Sequence, residues 1–102
     1  MATVLLIRAV SVQAMQQARQ LLEKGETISL VFFYLDGVLQ AFSESDWSSL
    51  AQRYALKLMV CQSGINDRQL HNEKLLLPFS AGTLADFFHY LSHAQHCLTF
   101  DA

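Results

Sequence analysis

The sequence predicts a three-layer α/β/α domain built on a mainly parallel sheet of four to five strands. Two observations predict it. The hydrophobic period switches repeatedly along the chain between short continuous apolar runs and stripes of helical spacing. The apolar runs are too short for typical helices and too uniformly apolar for half-exposed strands, which is the pattern of strands buried on both faces. The order that results is strand, helix, strand, helix, strand, an unassigned segment, helix, strand, and such alternation builds parallel sheets covered by helices.

Taken in order, Thr3 to Ala9 (TVLLIRA) reads as the first buried strand. Ser11 offers an N-cap to a helix whose Ala14, Met15, Ala18, Leu21 and Leu22 share one face. Gly25 follows where helices commonly end in a left-handed residue. Ile28 to Tyr34 (ISLVFFY) is the strongest strand, dense in β-branched and aromatic residues, and Asp36-Gly37 breaks it. Ser43-x-x-Asp46 suggests a capped second helix, with Trp47, Leu50, Ala51 and Tyr54 on its buried face. Lys57 to Cys61 (KLMVC) is a third strand, ended by Gln62-Ser63-Gly64. From there to about Lys74 the polar pattern assigns no element, and Leu75-Leu76-Leu77-Pro78 is apolar but of no definite type. Thr83-x-x-Asp86 opens a last helix with Leu84, Phe87, Phe88 and Leu91 on one stripe, and His96 to Phe100 (HCLTF) closes the sheet.

The chain has 102 residues, the size of one domain, so residues 1–102 are expected to share one core. Hydrophobic residues make up 52% of it and charged residues only 16%, below the roughly 25% usual for soluble domains. That surplus implies a dense core together with an apolar face for a partner. Net charge is −2, and the seven basic residues are scattered rather than gathered in a stripe, which argues against direct nucleic-acid binding. No apolar run approaches the roughly 18 residues of a membrane span, and Met1 to Leu6 carries no charged leader, so a cytoplasmic address is expected. Cys61 and Cys97 are far apart with no Cys-x-x-Cys spacing, which reads as two free thiols rather than a disulfide or zinc site.

Cys61 is the candidate for chemistry. In open parallel sheets, functional groups sit beyond the carboxyl ends of strands, and Cys61 ends the third strand. Gln62, Ser63 and Gly64 could turn backbone amides toward its sulfur, and such donors favour the thiolate, the form that attacks sulfur. The alternative is that Cys61 is simply a small buried hydrophobe. Cys97, near the start of its strand, should lie toward the opposite sheet edge and serve in packing. Tyr34 ends the second strand on the Cys61 edge and either lines a pocket there or belongs to the core. Arg68 could stabilise an anion at Cys61 or be an ordinary exposed arginine.

LVFFYLDGV (Leu30 to Val38), the tryptophan-bearing helix at Trp47 and LKLMVCQSG (Leu56 to Gly64) together resemble the DsrE-like sulfur-relay family, of the DsrE and TusD type. Phe79-Ser80-Ala81-Gly82-Thr83-Leu84 is also similar to the family's segment ahead of its last helix. The resemblance implies that Cys61 accepts sulfane sulfur as a persulfide from a donor protein and passes it to an acceptor protein, in tRNA thiolation or sulfur oxidation. It implies a loop-shaping role for Asp36 and Gly37 beside the cysteine, and assembly as a homo- or hetero-oligomer of trimer or hexamer type. No cofactor is expected. The chain departs from the family in its short, glycine-free Ala9-Val10-Ser11 loop and in Asn66-Asp67-Arg68, where relatives often carry arginines followed by glycine. A rival function on the same fold is a non-catalytic interaction subunit that completes an assembly, with Cys61 as packing.

Other constellations are weaker. Asp86, His89 and His93 share a helix side, and two histidines at i and i+4 can hold a metal, but the same residues suit a solvated helix face, and no metal is expected. His71 stands alone. Ser63 lacks a Gly-x-Ser-x-Gly elbow, and no glycine-rich phosphate loop is present, which disfavours hydrolase and nucleotide-binding chemistry.

Overall fold

A computed structural model describes residues 2–43 and 45–102. Five strands form one sheet: β1 (Ala2–Ile7), β2 (Thr27–Phe33), β3 (Leu58–Cys61), β4 (Ser80–Gly82) and β5 (His96–Phe100). Their spatial order is β4-β3-β2-β1-β5, and every neighbouring pair is parallel. Four α-helices connect them: α1 (Val12–Glu23), α2 (Asp46–Tyr54), α3 (Gln62–Asp67) and α4 (Leu84–Ser92), with a 3-10 segment over Leu35–Ala41 and another over Asn72–Lys74.

Register assigns the faces. Parallel partners project to the same side, so Leu5, Ile7, Val31, Phe33, Leu58 and Val60 share one face, and Val4, Leu6, Leu30, Phe32, Met59 and Cys61 share the other. Phe33 meets Trp47 edge-on, with centroids 5.3 Å apart at 85°, which places α2, and α1 packed against it, on the first face. Phe32 meets Phe87 at 5.1 Å, which places α4 on the second. The three-layer α/β architecture predicted from periodicity is therefore the one found, with β1 and β2 at its buried centre.

Local signals explain most boundaries. The Ser11 side chain accepts the Ala14 N–H at 3.0 Å and caps α1, and Gly25 adopts φ +83° just past its end. Thr83 and Asp86 form a reciprocal capping box at α4. The second helix starts later than Ser43-x-x-Asp46 suggests: Ser45 occupies the N-cap, because Ser43 still lies in the bend that follows the 3-10 segment. The stripe on α4 also differs. Phe87 is buried and Leu91 is half-buried, whereas Leu84 and Phe88 are exposed, Phe88 to 58%. One helix covers this face of the sheet, so only the side centred on Phe87 reaches it. The unassigned polar stretch holds α3, and β4 is a three-residue edge strand, both too short to show a period.

The connections create a switch point. The chain from β3 to β4 runs along the α2 side: the Leu76 N–H donates to the Ala41 carbonyl at 3.0 Å, and Phe79 meets Phe33 at 5.2 Å. From β4 the chain instead leaves for α4 on the opposite face. Diverging connections open a crevice outside the carboxyl ends of two strands. Cys61 of β3 and Gly82 of β4 are register partners at those strand ends, where the connections part.

Candidate functional site

The site is assembled from the ends of β2 and β3. After Phe33 the chain turns sharply: Tyr34 donates its N–H to the Ile7 carbonyl at 2.9 Å and accepts from the Gly37 N–H at 2.9 Å. Gly37 lies so close to the end of β1 that a β-carbon on it would stand 2.1 Å from the Ile7 oxygen, so no larger residue fits without moving backbone. Leu35, just before, adopts φ +51°, a left-handed conformation strained for a bulky side chain. This tight 3-10 turn sets Val38 under α3, where it packs against Gly64; a β-carbon on Gly64 would meet Val38 Cγ1 at 2.9 Å.

A residue that the sequence reading passed over holds this corner together. Gln40 is buried; its amide nitrogen donates to the Ala9 carbonyl at 3.1 Å and the Gly37 carbonyl at 3.3 Å, and its amide oxygen accepts the Trp47 indole N–H at 3.1 Å. It thereby ties the β1–α1 loop, the 3-10 segment and α2. The signal available in the sequence was a lone glutamine between apolar residues, seven positions before a tryptophan that needs an acceptor.

Cys61 ends β3 as the N-cap of α3 and is 1% exposed. In this conformation its thiol is therefore closed off from solvent. Its side chain makes no capping bond, so the expectation that amides of Gln62, Ser63 and Gly64 point at the sulfur is not met. The Cys61 side chain instead projects with Met59 toward the α4 face, while Gln62, Ser63 and Gly64 form the first turn of α3. Gln62 exchanges two amide bonds with Asn72, at 3.0 and 2.7 Å, and donates to Asn66 at 3.0 Å. Ser63 is exposed.

Arg68 and Asp36 come together across the site. Arg68 donates through Nε at 3.1 Å and Nη2 at 2.7 Å to the same Asp36 oxygen, and through Nη1 to the Gly64 carbonyl at 3.3 Å. The guanidinium is thus engaged in joining α3 to the 3-10 segment. Tyr34 stands half-buried at the end of β2, its ring 6.4 Å from Phe32. A cleft of about 430 Å³ opens at the same corner, lined by Val10, Val12, Met15, Leu39, Gln40 and Trp47 among others; Cys61 does not line it.

Cys97 corrects the sequence reading. It is exposed, not packed, because β5 is the outer strand and Cys97 faces the side that α4 leaves open. Partial shielding raises its pKa above the ordinary thiol value, and a hydrogen bond from Thr99 works the other way. On α4, Asp86 is engaged in the capping box, while His93 Nδ1 lies 3.0 Å from the His89 carbonyl and the two imidazoles stand 5.0 Å apart. Among the described residues no cluster of three or more His, Cys, Asp or Glu could hold a metal ion, and no helix is long and apolar enough to cross a membrane.

Comparison with known proteins supplies the family. The sulfurtransferase TusD of Proteus mirabilis (strain HI4320) is 36% identical over 100 residues, covering 82% of this chain and 77% of that protein. The sulfurtransferase TusD of Erwinia tasmaniensis is 32% identical over 87 residues, covering 70% of this chain and 66% of the relative, just under two thirds of its length. The crystal structure of the ychN protein from E. coli superposes with a TM-score of 0.82 over 97% of both chains at 15% identity, a likeness of fold alone. The model of the DsrE/DsrF-like family matches residues 8–100, nearly the whole domain described above. The chain belongs to the DsrE/DsrF-like family.

Proposed function

We propose that this protein is a sulfurtransferase subunit that receives and hands on sulfane sulfur through Cys61. The observation that carries the reading is the position of Cys61 at the carboxyl end of β3, where the connections leave for opposite faces of the sheet, in a chain 36% identical to a sulfurtransferase. In the transfer, the Cys61 thiolate attacks the outer sulfur of a donor persulfide. A bond forms between that sulfur and Cys61 Sγ, the donor's S–S bond breaks, and the donor cysteine leaves as a thiolate. The second transfer repeats the exchange toward an acceptor thiol, so no external oxidant or reductant enters. Donor and acceptor proteins are the partners, in tRNA thiolation or a sulfur-oxidation relay, within a cytoplasmic oligomer of trimer or hexamer type. Val10, Val12 and Phe88, exposed at 63%, 73% and 58%, supply apolar surface for such an assembly.

A second reading has one observation in its favour: Cys61 is 1% exposed, as a packing residue would be. On that reading the chain completes an assembly without carrying sulfur. The test is incubation with a low-molecular-weight persulfide, followed by intact mass and cyanide-labile sulfur. The exposed Cys97 is first replaced by serine so that it cannot report in place of Cys61. A gain of one sulfur atom in Cys97→Ser that disappears in Cys61→Ser/Cys97→Ser supports the carrier. Equal loading of the two proteins, or none in either, favours the interaction subunit.

A further inference from the structure

We propose that His89 and His93 bind one divalent transition-metal ion, of the zinc or copper kind, at the last turn of α4. The proposal is independent of Cys61: α4 starts beside the carboxyl end of β4, and its last turn lies near Ala2 and Ser29 on the other side of the molecule. Sequence spacing alone suits a solvated helix face equally well. The structure adds features that a wet face does not need. The two exposed imidazoles stand with ring centres 5.0 Å apart. An ion roughly 2.0–2.1 Å from one nitrogen of each ring lies about 3.2 Å from each ring centre, so this separation corresponds to an angle of about 100° at the metal, within the range of tetrahedral coordination.

The His93 ring is already oriented as a ligand. Its Nδ1 stands 3.0 Å from the His89 carbonyl oxygen and 3.1 Å from Ser92 Oγ, and the Ser92 hydroxyl donates to the same carbonyl at 2.7 Å. A carbonyl oxygen only accepts, so Nδ1 carries the ring proton and Nε2 keeps its lone pair. A backbone carbonyl holding one imidazole nitrogen is how proteins fix the tautomer that binds metal through the other. Both histidines also line one cleft of about 410 Å³, together with Ala2, Ser29 and Tyr90. Two protein ligands leave coordination positions free, and the cleft has room for water or a small ligand in them. Charge agrees. The carboxyl end of a helix carries the negative end of its dipole, and Leu75 to Ala102 contains three of the four histidines but no lysine or arginine. Imidazole selects zinc, copper or nickel over calcium and magnesium, which prefer oxygen.

The test is calorimetric titration of untagged Cys97→Ser protein with Zn²⁺, the substitution removing the one exposed thiol that would compete for the ion. One ion per chain should bind, and Ca²⁺ should not displace it. His89→Gln and His93→Gln should each weaken binding about tenfold or more, because a single histidine cannot chelate, and the double variant should be little weaker than either. His96→Gln, which alters an exposed histidine on β5, should bind like the parent. All three positions are exposed, so the variants should fold, and circular dichroism checks that they do. Hydrogen exchange supplies a second readout: Zn²⁺ should slow exchange in the last turn of α4 in the parent and leave His93→Gln unchanged. The proposal is overturned if Zn²⁺ does not bind, if binding survives in both His89→Gln and His93→Gln, if it is lost equally in His96→Gln, or if bound Zn²⁺ leaves exchange at the end of α4 unaltered.

Discussion

Gly37→Ala tests whether the turn beside Cys61 depends on a backbone approach that only glycine allows. A β-carbon there would stand 2.1 Å from the Ile7 carbonyl oxygen, and ordinary contact begins near 3.4 Å, so more than an ångström of backbone movement is required. The Ile7 oxygen is also the acceptor of the Tyr34 N–H at 2.9 Å, so the movement strains or breaks that bond. Overpacking costs about 1–3 kcal/mol and a lost hydrogen bond about 0.5–1.5 kcal/mol, giving about 2–4 kcal/mol in all. For a domain of this size that is a fall in melting temperature of roughly 10–25 °C. Urea unfolding followed by the fluorescence of Trp47, the single tryptophan and 1% exposed, measures it as a lower midpoint at unchanged slope. Gly25→Ala is the control: φ is +83° but nothing lies within 4 Å of the new β-carbon, so backbone strain alone should cost about 1–2 kcal/mol. If Gly37→Ala destabilises no more than Gly25→Ala, the close-approach argument is refuted.

Other expectations concern separate parts of the molecule. Gln40→Ala removes three hydrogen bonds and leaves the buried Trp47 N–H without its acceptor; thermal melts should show a loss of about 2–4 kcal/mol, partly relieved by adding Trp47→Phe. Thr83→Ala removes the capping box of α4 and should cost about 1 kcal/mol in urea titrations, with hydrogen exchange rising in the first turn of that helix. Because the Cys97 pKa is raised, its alkylation in Cys61→Ser protein should keep climbing with pH after a free thiol has levelled off, and Thr99→Val should push the curve further up. The sign for stability follows: folding disfavours the ionised Cys97, so stability falls as pH rises through the unfolded thiol's value.

How much was legible depended on the length of the pattern. Thr27–Phe33 and His96–Phe100 could be read almost to the residue, because β-branched and aromatic runs between turn residues leave few alternatives. The caps at Ser11 and Thr83 were equally plain, since both act on neighbours three positions away. Six residues of α3 and three of β4 were not legible, as neither completes enough of a period to differ from loop. The α4 stripe was read with Leu84 and Phe88 inward, although which part of an apolar face meets the sheet depends on how the helix lies across it.

The sequence by itself determined the fold class, the family and the place of Cys61 at a strand's carboxyl end, because these follow from period, local caps and short motifs. Tertiary structure alone decided that Cys61 is closed off, that Cys97 is exposed, that Gln40 ties three elements and that Arg68 pairs with Asp36. These last four are matters of which distant segments meet and which strand lies outermost. Local pattern carries no information about such meetings until the sheet order brings the chain's ends and corners together.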